Sequence, residues 1–396
     1  MDTPGSRTPR RTTASGTRRP PTCPSRRSIE GSACMNWDTL ADGLRESGAL
    51  SADWESTFRA VPRRLFVPDR VYHQGEWIDR SEHPIQWYEL VGSDLPLVTQ
   101  LDEDGATPSS SSSMPTVVAQ MLRHLDVAEG MRLLDIGTGT GWTAGLLAHR
   151  LGAENVTTVE VDRDLAGEAR RRLVANRLPV RVVVGDGALG DAPSAPYDRV
   201  HVTAAVQRVP GAWIEQTAPG GIIVVPYGTP FCNGGLLKLT VAEDGRSASG
   251  PFVEDVAFMW VRDQRPGSGE FEIENVRHGP SELDPAAVAE HTAAAFAIGL
   301  RLPGLFRQDV WAGYDRFGTG RFEVWDGASY AHCRLADWDG KHAVSQSGPR
   351  NLWDEVTAGH AWWQRQGEPG LDRFGVTVTV EGEQRVWLDA PGRVIG

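Results

Sequence analysis

Apolar residues between positions 131 and 228 occur in two different patterns, and their alternation predicts the core of the fold. Short apolar runs typical of buried strands occur in MRLLDIG, VTTVEVD, VRVVVGDG, YDRVHVTAA and GIIVVPYG. The segments between the first three runs, GWTAGLLAHRLG and RDLAGEARRRLVANR, carry apolar residues at the spacing of an amphipathic helix. Strands that alternate with helices predict a doubly wound α/β sheet, parallel and covered on both faces.

The flanking segments follow other patterns. NWDTLADGLRESGAL and the start of WESTFRAVPRRLFVPD predict two helices, the second of which ends near Pro62. Residues 71–108 are polar and predict irregular structure with aromatic anchors. MPTVVAQMLRHL predicts a helix with Pro115 in its first turn. GGLLKLTVAEDG and FVEDVAFMWVRDQ predict later, antiparallel strands.

Glycine and serine in PGSG, at residues 266–269, predict a domain boundary. Beyond it, LWDEVTAGHAWWQRQG predicts a helix and RFGVTVTVEGEQRVWLD a hairpin, and half of the 14 tryptophans lie there. We expect Trp311, Trp325 and Trp338 to be core residues. The expected organisation is a tail at 1–34, a helical lead-in with a substrate loop at 35–114, an α/β domain at 115–265 and a small α+β domain at 270–396.

The first 34 residues differ from the rest in composition. They hold seven arginines against two acids, a net charge of +5, and almost no large apolar residue. Such a segment cannot bury enough apolar surface to fold, and it lacks the apolar stretch of a secretory signal. We expect Met35 to be the true start; the alternative is a basic arm that docks on an acidic partner.

Charge and cysteine content exclude several classes of partner. Because the whole chain carries −12, residues 35–396 carry −17, which disfavours nucleic acid as a partner. The sequence has no run of 18 apolar residues, so no membrane-spanning segment is expected. Its four cysteines form no CxxC motif or His/Cys pairing, which predicts a reducing cytoplasm and no metal site.

The candidate chemistry lies at the ends of the first three predicted strands. The glycine-rich turn in LLDIGTGTGWTAGLLA could by itself open a dinucleotide site. Glu160 ends the next strand, where a carboxylate can bind both hydroxyls of a ribose, and Gly185-Asp186-Gly187 ends the third. Asp135 would repel a pyrophosphate but suits a cationic amino group. The pattern therefore favours S-adenosylmethionine over NAD.

In order and spacing, these motifs resemble the protein-L-isoaspartate O-methyltransferase family over roughly residues 55–262. The resemblance also rests on GDGALGDAPSAPYDRVHVTAA and WIEQTAPGGIIVVPYG. It implies an S-adenosylmethionine-dependent methyltransferase with a Rossmann-like sheet, to which this chain adds the small C-terminal α+β domain. It further implies that the methionine part of the cofactor is held by Asp135, Gly137, Thr138, Gly139 and Gly141. By the same resemblance, Glu160 holds the ribose, and the adenine lies beside Asp186 and Gly187.

The serine run in TPSSSSSMPTVVAQML has the composition of a linker. The family it resembles has a Ser-x-Pro loop at the start of a helix near the cofactor, here Ser113-Met114-Pro115. A carboxylate is ionised at neutral pH and needs no general base, so the enzyme has to align it and exclude water. Hydroxyls and helix N-terminal N–H groups suit such an anion. We expect Ser113 as the catalytic contact, Ser111, Ser112 and Thr116 as substrate-binding residues, and Ser109 and Ser110 as loop only.

Two departures from the ordinary repair enzymes bear on the substrate. They lack the insert VTQLDEDGATPSSSS and the C-terminal domain, which suggest one dedicated substrate here. The arrangement is similar to actinobacterial methyltransferases that act beside graspetide ligases or lanthipeptide synthetases on ribosomally made, modified peptides. That similarity implies methylation of an aspartate in a cyclised precursor peptide, followed by closure to an aspartimide that can hydrolyse to isoaspartate. The alternative is general isoaspartate repair.

Two further classes are disfavoured. A binding module that keeps the cofactor only as a structural ligand would show a damaged cofactor loop, and the loop here is intact. A small-molecule methyltransferase would lack the Ser-x-Pro loop and the peptide-sized extension.

Overall fold

The computed structural model describes residues 37–267, 275–310 and 320–395. The expectations for the tail, for Trp311 and for the second half of PGSG therefore lie outside the described residues. The helices are α1 (37–46), α2 (Ala52–Ala60), α3 (Pro84–Val91), α4 (Pro115–Leu125), α5 (Trp142–Leu151), α6 (Arg163–Ala175), α7 (Gly211–Glu215), α8 (Ala286–Ala289), α9 (Thr292–Arg301) and α10 (Leu352–Arg365).

The strands form three sheets. They are β1 (Arg70–His73), β2 (Glu76–Asp79), β3 (Leu97–Leu101), β4 (Pro108–Ser112), β5 (Leu133–Ile136), β6 (Val156–Glu160), β7 (Arg181–Val184), β8 (Tyr197–Val202), β9 (Thr217–Gly228), β10 (Asn233–Val241), β11 (Ser247–Glu254), β12 (Arg277–Gly279), β13 (Phe306–Val310), β14 (Arg321–Trp325), β15 (Tyr330–Arg334), β16 (Val344–Ser347), β17 (Phe374–Thr379) and β18 (Gln384–Leu388).

The central sheet has the strand order β18-β17-β11-β10-β9-β8-β5-β6-β7. Strands β5 to β9 pair in parallel, which confirms the doubly wound sheet, and the others add antiparallel pairs. Strand β5 has β6 on one side and β8 on the other, so the strand order reverses at β5. A crevice opens at such a switch point, beyond the carboxyl ends of the strands.

Successive residues of β5 pack into different cores. Leu133 belongs to a cluster with Leu122 of α4 and Leu147 of α5. Leu134 belongs to a second cluster, with Trp213 of α7 and Phe296 of α9. Successive side chains of a strand point to opposite faces, so helices cover the sheet on both sides. Among the described residues, no helix combines the length and apolar character needed to cross a membrane.

Residues 71–108 were expected to be irregular, and that expectation is wrong. They contain most of a four-stranded sheet of order β2-β1-β3-β4, with α3 between its strands. The serine run forms β4 and pairs with β3, with Ser112 opposite Leu97 and Ser111 opposite Val98. Serine has little strand propensity, so pairing with β3 and burial of alternate serines outweigh local preference here. The run is an ordered strand and not a linker.

The C-terminal residues divide between two sheets. Strands β12 to β16 form a separate antiparallel sheet of order β12-β16-β15-β14-β13, packed against α10. Hairpin β17–β18 instead extends the central sheet, with β17 paired to β11. Trp325 is buried, and Trp338 is partly buried against the core of this region, as expected. The proposed domain limits remain a prediction.

Candidate active site

A cavity of about 750 Å³ lies at the carboxyl ends of β5 and β6. Its walls come from the glycine-rich turn, the ends of β6 and β7, the serine strand β4, the start of α4 and residues 255–263. This volume is within the usual range of small-molecule sites. Of FVEDVAFMWVRDQ, only the first three residues belong to a strand, and most of the rest line the cavity.

The turn after β5 requires glycine for steric reasons. Gly137 has φ +92°, and a Cβ there would lie 2.5 Å from Thr203 Oγ1. Gly141 has φ +89° and precedes α5, and a Cβ there would lie 3.2 Å from that of Ala169 in α6. L-residues rarely adopt such φ values, so the turn can pass this close to its neighbours only with glycine. Gly137 and Gly139 line the cavity; Gly141 shapes the turn behind them.

Glu160 is placed where the sequence predicted a ribose contact. Its side chain lines the cavity, and the residue is 7% exposed. One carboxylate oxygen accepts the Gly139 N–H at 2.8 Å and the other accepts the Asp162 N–H at 3.0 Å. Burial raises the pKa of Glu160, and these two hydrogen bonds oppose that rise. The carboxylate is thus fixed in place, and each oxygen keeps a further lone pair.

Asp186 and Gly187 lie on the β7 side of the same cavity. The Asp186 carboxylate accepts the Ala188 N–H at 2.8 Å and begins a short turn. The Gly187 carbonyl accepts the indole N–H of Trp213 at 2.8 Å. A Cβ on Gly187 would lie 2.6 Å from Ile136 Cγ2, so this residue can pack this closely against Ile136 only because it is a glycine.

The structure corrects the expected role of Asp135. This carboxylate is fully buried and is not among the residues that line the cavity. One oxygen lies 2.7 Å from His201 Nδ1, and the other accepts the Thr158 hydroxyl at 2.8 Å. Asp135 can therefore influence a ligand in the cavity only through the side chains that it contacts.

Thr158 and Thr138 connect Asp135 with the cavity. The Thr158 hydroxyl has one hydrogen, which it donates to Asp135, so the contact of 2.8 Å to Thr138 Oγ1 must be donated by Thr138. The Thr138 oxygen, which lines the cavity, then presents its lone pairs as acceptors. Sequence reasoning missed Thr158 and His201. Both lie directly beside Asp135 on neighbouring strands, a register that the sequence does not specify.

The predicted substrate residues separate into two groups. Ser111 and Ser113 line the cavity, and within the described ranges neither hydroxyl has a hydrogen-bond partner. The Ser112 hydroxyl instead accepts Arg63 Nε at 2.9 Å, because alternation along β4 turns it the other way. Thr116 binds Asp94 through its N–H at 2.8 Å and its hydroxyl at 2.6 Å. Thr116 does not line the cavity, so its hydroxyl is not placed to meet a substrate there. Ser112 does line the cavity, and its substrate-binding role stays a prediction.

Two segments cover the site: the hairpin that the predicted serine run forms with β3, and residues 255–265, which the sequence did not place there. Hairpin β3–β4 contacts the start of α6 through Gln100, which donates to Asp162 at 3.2 Å. Residues 255–265 run past the cavity, and Arg265 forms an ion pair of 2.6 Å with Asp102 of the hairpin. These contacts join the two segments over the glycine-rich turn, and they depend on pairs more than 60 residues apart in sequence.

Comparison with known proteins agrees with this geometry. Residues 38–265 match the family described as "Protein-L-isoaspartate(D-aspartate) O-methyltransferase (PCMT)". Protein-L-isoaspartate O-methyltransferase 1 of Archaeoglobus fulgidus is 37% identical over 191 residues, covering 48% of this chain and 78% of that protein. The Thermococcus onnurineus protein-L-isoaspartate O-methyltransferase is 40% identical over 215 residues, covering 53% of this chain and 86% of its own.

One solved structure aligns in fold with more of the chain than the family model matches. It is named protein-L-isoaspartate O-methyltransferase, has a TM-score of 0.52 at 19% identity, and is aligned over 89% of this chain and 99% of its own. An alignment of that extent must reach beyond residue 270. The expectation that enzymes of this name lack a C-terminal extension therefore does not hold for that protein.

The chain belongs to the protein-L-isoaspartate(D-aspartate) O-methyltransferase family, since the match covers more than half of it. It is thus an enzyme of the protein (iso)aspartate O-methyltransferase class, and S-adenosylmethionine is its cofactor.

Proposed function

We propose that this chain transfers a methyl group from S-adenosylmethionine to the side-chain carboxylate of an isoaspartyl or aspartyl residue in a peptide or protein. The observation that carries the proposal is the position of Ser113. Its hydroxyl, which has no partner in the described part of the chain, lines the same cavity as the glycine-rich turn and Glu160. A hydroxyl that can bind an anion and the residues expected to hold the cofactor thus line one cavity.

The residues of the cavity fit the cofactor. Glu160 can accept hydrogen bonds from both ribose hydroxyls while it keeps its two backbone contacts. The adenine would lie beside Asp186 and Gly187, on the β7 side. Gly137, Gly139 and Thr138 would hold the methionine part, and the Thr138 oxygen is oriented to accept from its ammonium group. Asp135 would act on that group indirectly, through Thr158.

The reaction makes modest demands on the side chains. When bound, S-adenosylmethionine supplies a methyl carbon whose bond to sulfur breaks as its bond to a carboxylate oxygen forms, leaving a methyl ester and S-adenosylhomocysteine. The carboxylate is already ionised at neutral pH, so no residue has to remove a proton. The hydroxyl of Ser113 and the N–H groups of Ser113 and Met114 would hold it by donating hydrogen bonds, and the β3–β4 hairpin with residues 255–265 covers part of the cavity.

The finer question is which peptide is methylated. The hypothesis of a dedicated, cyclised precursor peptide is supported by the paired covering segments, which narrow the approach to Ser113. In that case the backbone nitrogen after the esterified aspartate attacks the ester, methanol leaves and an aspartimide forms. General repair of isoaspartyl proteins fits the comparisons at least as well, because the relatives are named protein-L-isoaspartate O-methyltransferases.

A mass-spectrometric time course on three peptides tests the proposal. An isoaspartyl peptide, its linear aspartyl counterpart and a lactam-cyclised aspartyl peptide are each incubated with S-adenosylmethionine. The proposal predicts the gain of one methyl group on at least one of them. Fastest methylation of the cyclised peptide, followed by loss of methanol, supports the dedicated substrate, and fastest methylation of the isoaspartyl peptide supports repair. No methyl transfer to any of them contradicts the proposal.

A further inference from the structure

Arg63 is a fully buried cation beneath the serine strand. It lies in a short turn after Pro62, and its guanidinium donates to four acceptors. Nε donates to Ser112 Oγ at 2.9 Å, Nη2 to the carbonyl oxygens of Ser112 at 2.7 Å and Leu95 at 2.8 Å, and Nη1 to that of Ser93 at 3.3 Å. One buried side chain thus connects β4 with the turn that precedes β3.

The charge of Arg63 is not neutralised by an ion pair within the described part of the chain. The nearest acid that acts on it is Asp94, whose carboxylate is engaged by Thr116. Burial accordingly lowers the pKa of Arg63 to about 9. Burying a cation without an ion pair is costly, so Arg63 depends on its four hydrogen bonds to stay in place.

The hydrogen bond from Arg63 to the Ser112 carbonyl oxygen orients the Ser112–Ser113 peptide and so determines the direction of the Ser113 N–H. The Ser112–Ser113 peptide is trans, so the Ser113 N–H points away from the carbonyl oxygen that Arg63 binds. No acceptor in the described residues is bonded to the N–H groups of Ser113 or Met114, and both residues line the cavity. A cation on the carbonyl also polarises the peptide and strengthens its N–H as a donor.

We infer that Arg63 is a positioning residue that holds the Ser112–Ser113 peptide so that the Ser113 N–H and hydroxyl together bind the substrate carboxylate. The inference rests on the proposed function. The carboxylate loses its charge as it becomes an ester, so a donor that holds it acts more strongly on the bound substrate than on the transition state. Loss of Arg63 should therefore raise the KM for the peptide more than it lowers kcat.

The test compares Arg63→Lys and Arg63→Met with Arg199→Lys in the full chain. Arg199 is a matched control because it is also buried and donates to carbonyl oxygens, those of Leu125, Asp126 and Asp198, without lining the cavity. On the peptide that the wild type methylates fastest, both Arg63 variants should lose about 10- to 100-fold in kcat/KM, mainly through KM, while S-adenosylhomocysteine binding measured by calorimetry stays unchanged. Lysine should retain more activity than methionine, and Arg199→Lys should lower only the melting temperature.

Combining Arg63→Lys with Ser113→Ala should cost less than the two single losses together, because both act on one contact. Folded Arg63 variants with wild-type KM, or a KM change equal to that of Arg199→Lys, would overturn the inference while leaving the proposed function intact. If Arg63→Met does not fold, Arg63→Lys alone decides. A wild-type chain that methylates none of the three peptides instead refutes the proposed function, and the inferred role of Arg63 is then refuted as well.

Discussion

Among single residues, the site depends on which polar groups are already engaged and which still face the cavity. The cavity is lined by Glu160, Thr138 and Ser113. The Glu160 carboxylate is oriented by the Gly139 N–H, and the Thr138 hydroxyl by that of Thr158. Asp135, the most prominent acid in the glycine-rich motif, is withdrawn from the cavity and acts through Thr158. Binding of the cofactor should therefore depend on residues that never touch it.

Glu160 provides a pH-dependent prediction. Burial raises its pKa above the ordinary 4.5, and a protonated carboxyl can no longer accept from both ribose hydroxyls. Affinity for S-adenosylhomocysteine should fall as the pH is lowered through this raised pKa. Glu160→Gln should remove that dependence, and Glu160→Ala should weaken binding by about 1.5–3 kcal/mol at neutral pH. Calorimetry between neutral pH and the ordinary pKa measures both effects; unchanged affinity in Glu160→Ala would remove Glu160 from the site.

Thr158 tests the indirect role of Asp135. In Thr158→Val, Thr138 loses the acceptor that orients its hydroxyl, so S-adenosylhomocysteine should bind more weakly by about 1 kcal/mol. Binding of 5′-methylthioadenosine, which lacks the amino acid part, should be unaffected. Thr157→Val, a buried change on the opposite face of β6, is the control. Equal losses for both ligands would mean that the mutation only disturbs the sheet.

At the scale of elements, the parallel strands and their helices were predictable because their patterns are local. Continuous apolar runs predicted β5 to β9, and the helical spacing of GWTAGLLAHRLG predicted α5. The β3–β4 hairpin was not predictable, since a serine run becomes a strand only when a partner is present. The sequence did not predict the roles of Arg63, Thr158 and His201 for the same reason. Contacts between segments distant in sequence bring these residues to the site, whereas Glu160 is placed by its spacing from the glycine-rich turn.

Hairpin β17–β18 should be needed for the stability of the central sheet. Its residues Val376 and Val378 belong to the core that also holds Leu134 of β5. Ending the chain after residue 373 removes β17 from β11 and exposes that core. The shortened chain should lose cooperative thermal unfolding, followed by circular dichroism. A truncated chain with the wild-type melting temperature would show that the hairpin is an independent addition.

At the scale of the whole molecule, the extension is joined to the catalytic sheet instead of being attached by a linker alone. Strands β12 to β16 and helix α10 form a separate layer, while β17 and β18 return to the central sheet. Trp325 of the extension is buried in packing, as expected of a core residue, and so is Trp353. We therefore expect the serine strand and the covering segments, which line the cavity, to contribute most to the selection of a substrate.

The most direct test of the central claim is methyl transfer by Ser113→Ala. Of the three peptides in the time course, the one that the wild type methylates fastest is used to measure the rate of ester formation by the wild type, Ser113→Ala and Ser249→Ala, whose hydroxyl contacts Thr377 Oγ1 away from the cavity. The account predicts transfer by the wild type and by Ser249→Ala, and a loss of about 10-fold or more in kcat/KM for Ser113→Ala with unchanged affinity for S-adenosylhomocysteine. Equal rates for all three proteins, or no transfer by the wild type to any of the three peptides, would contradict it.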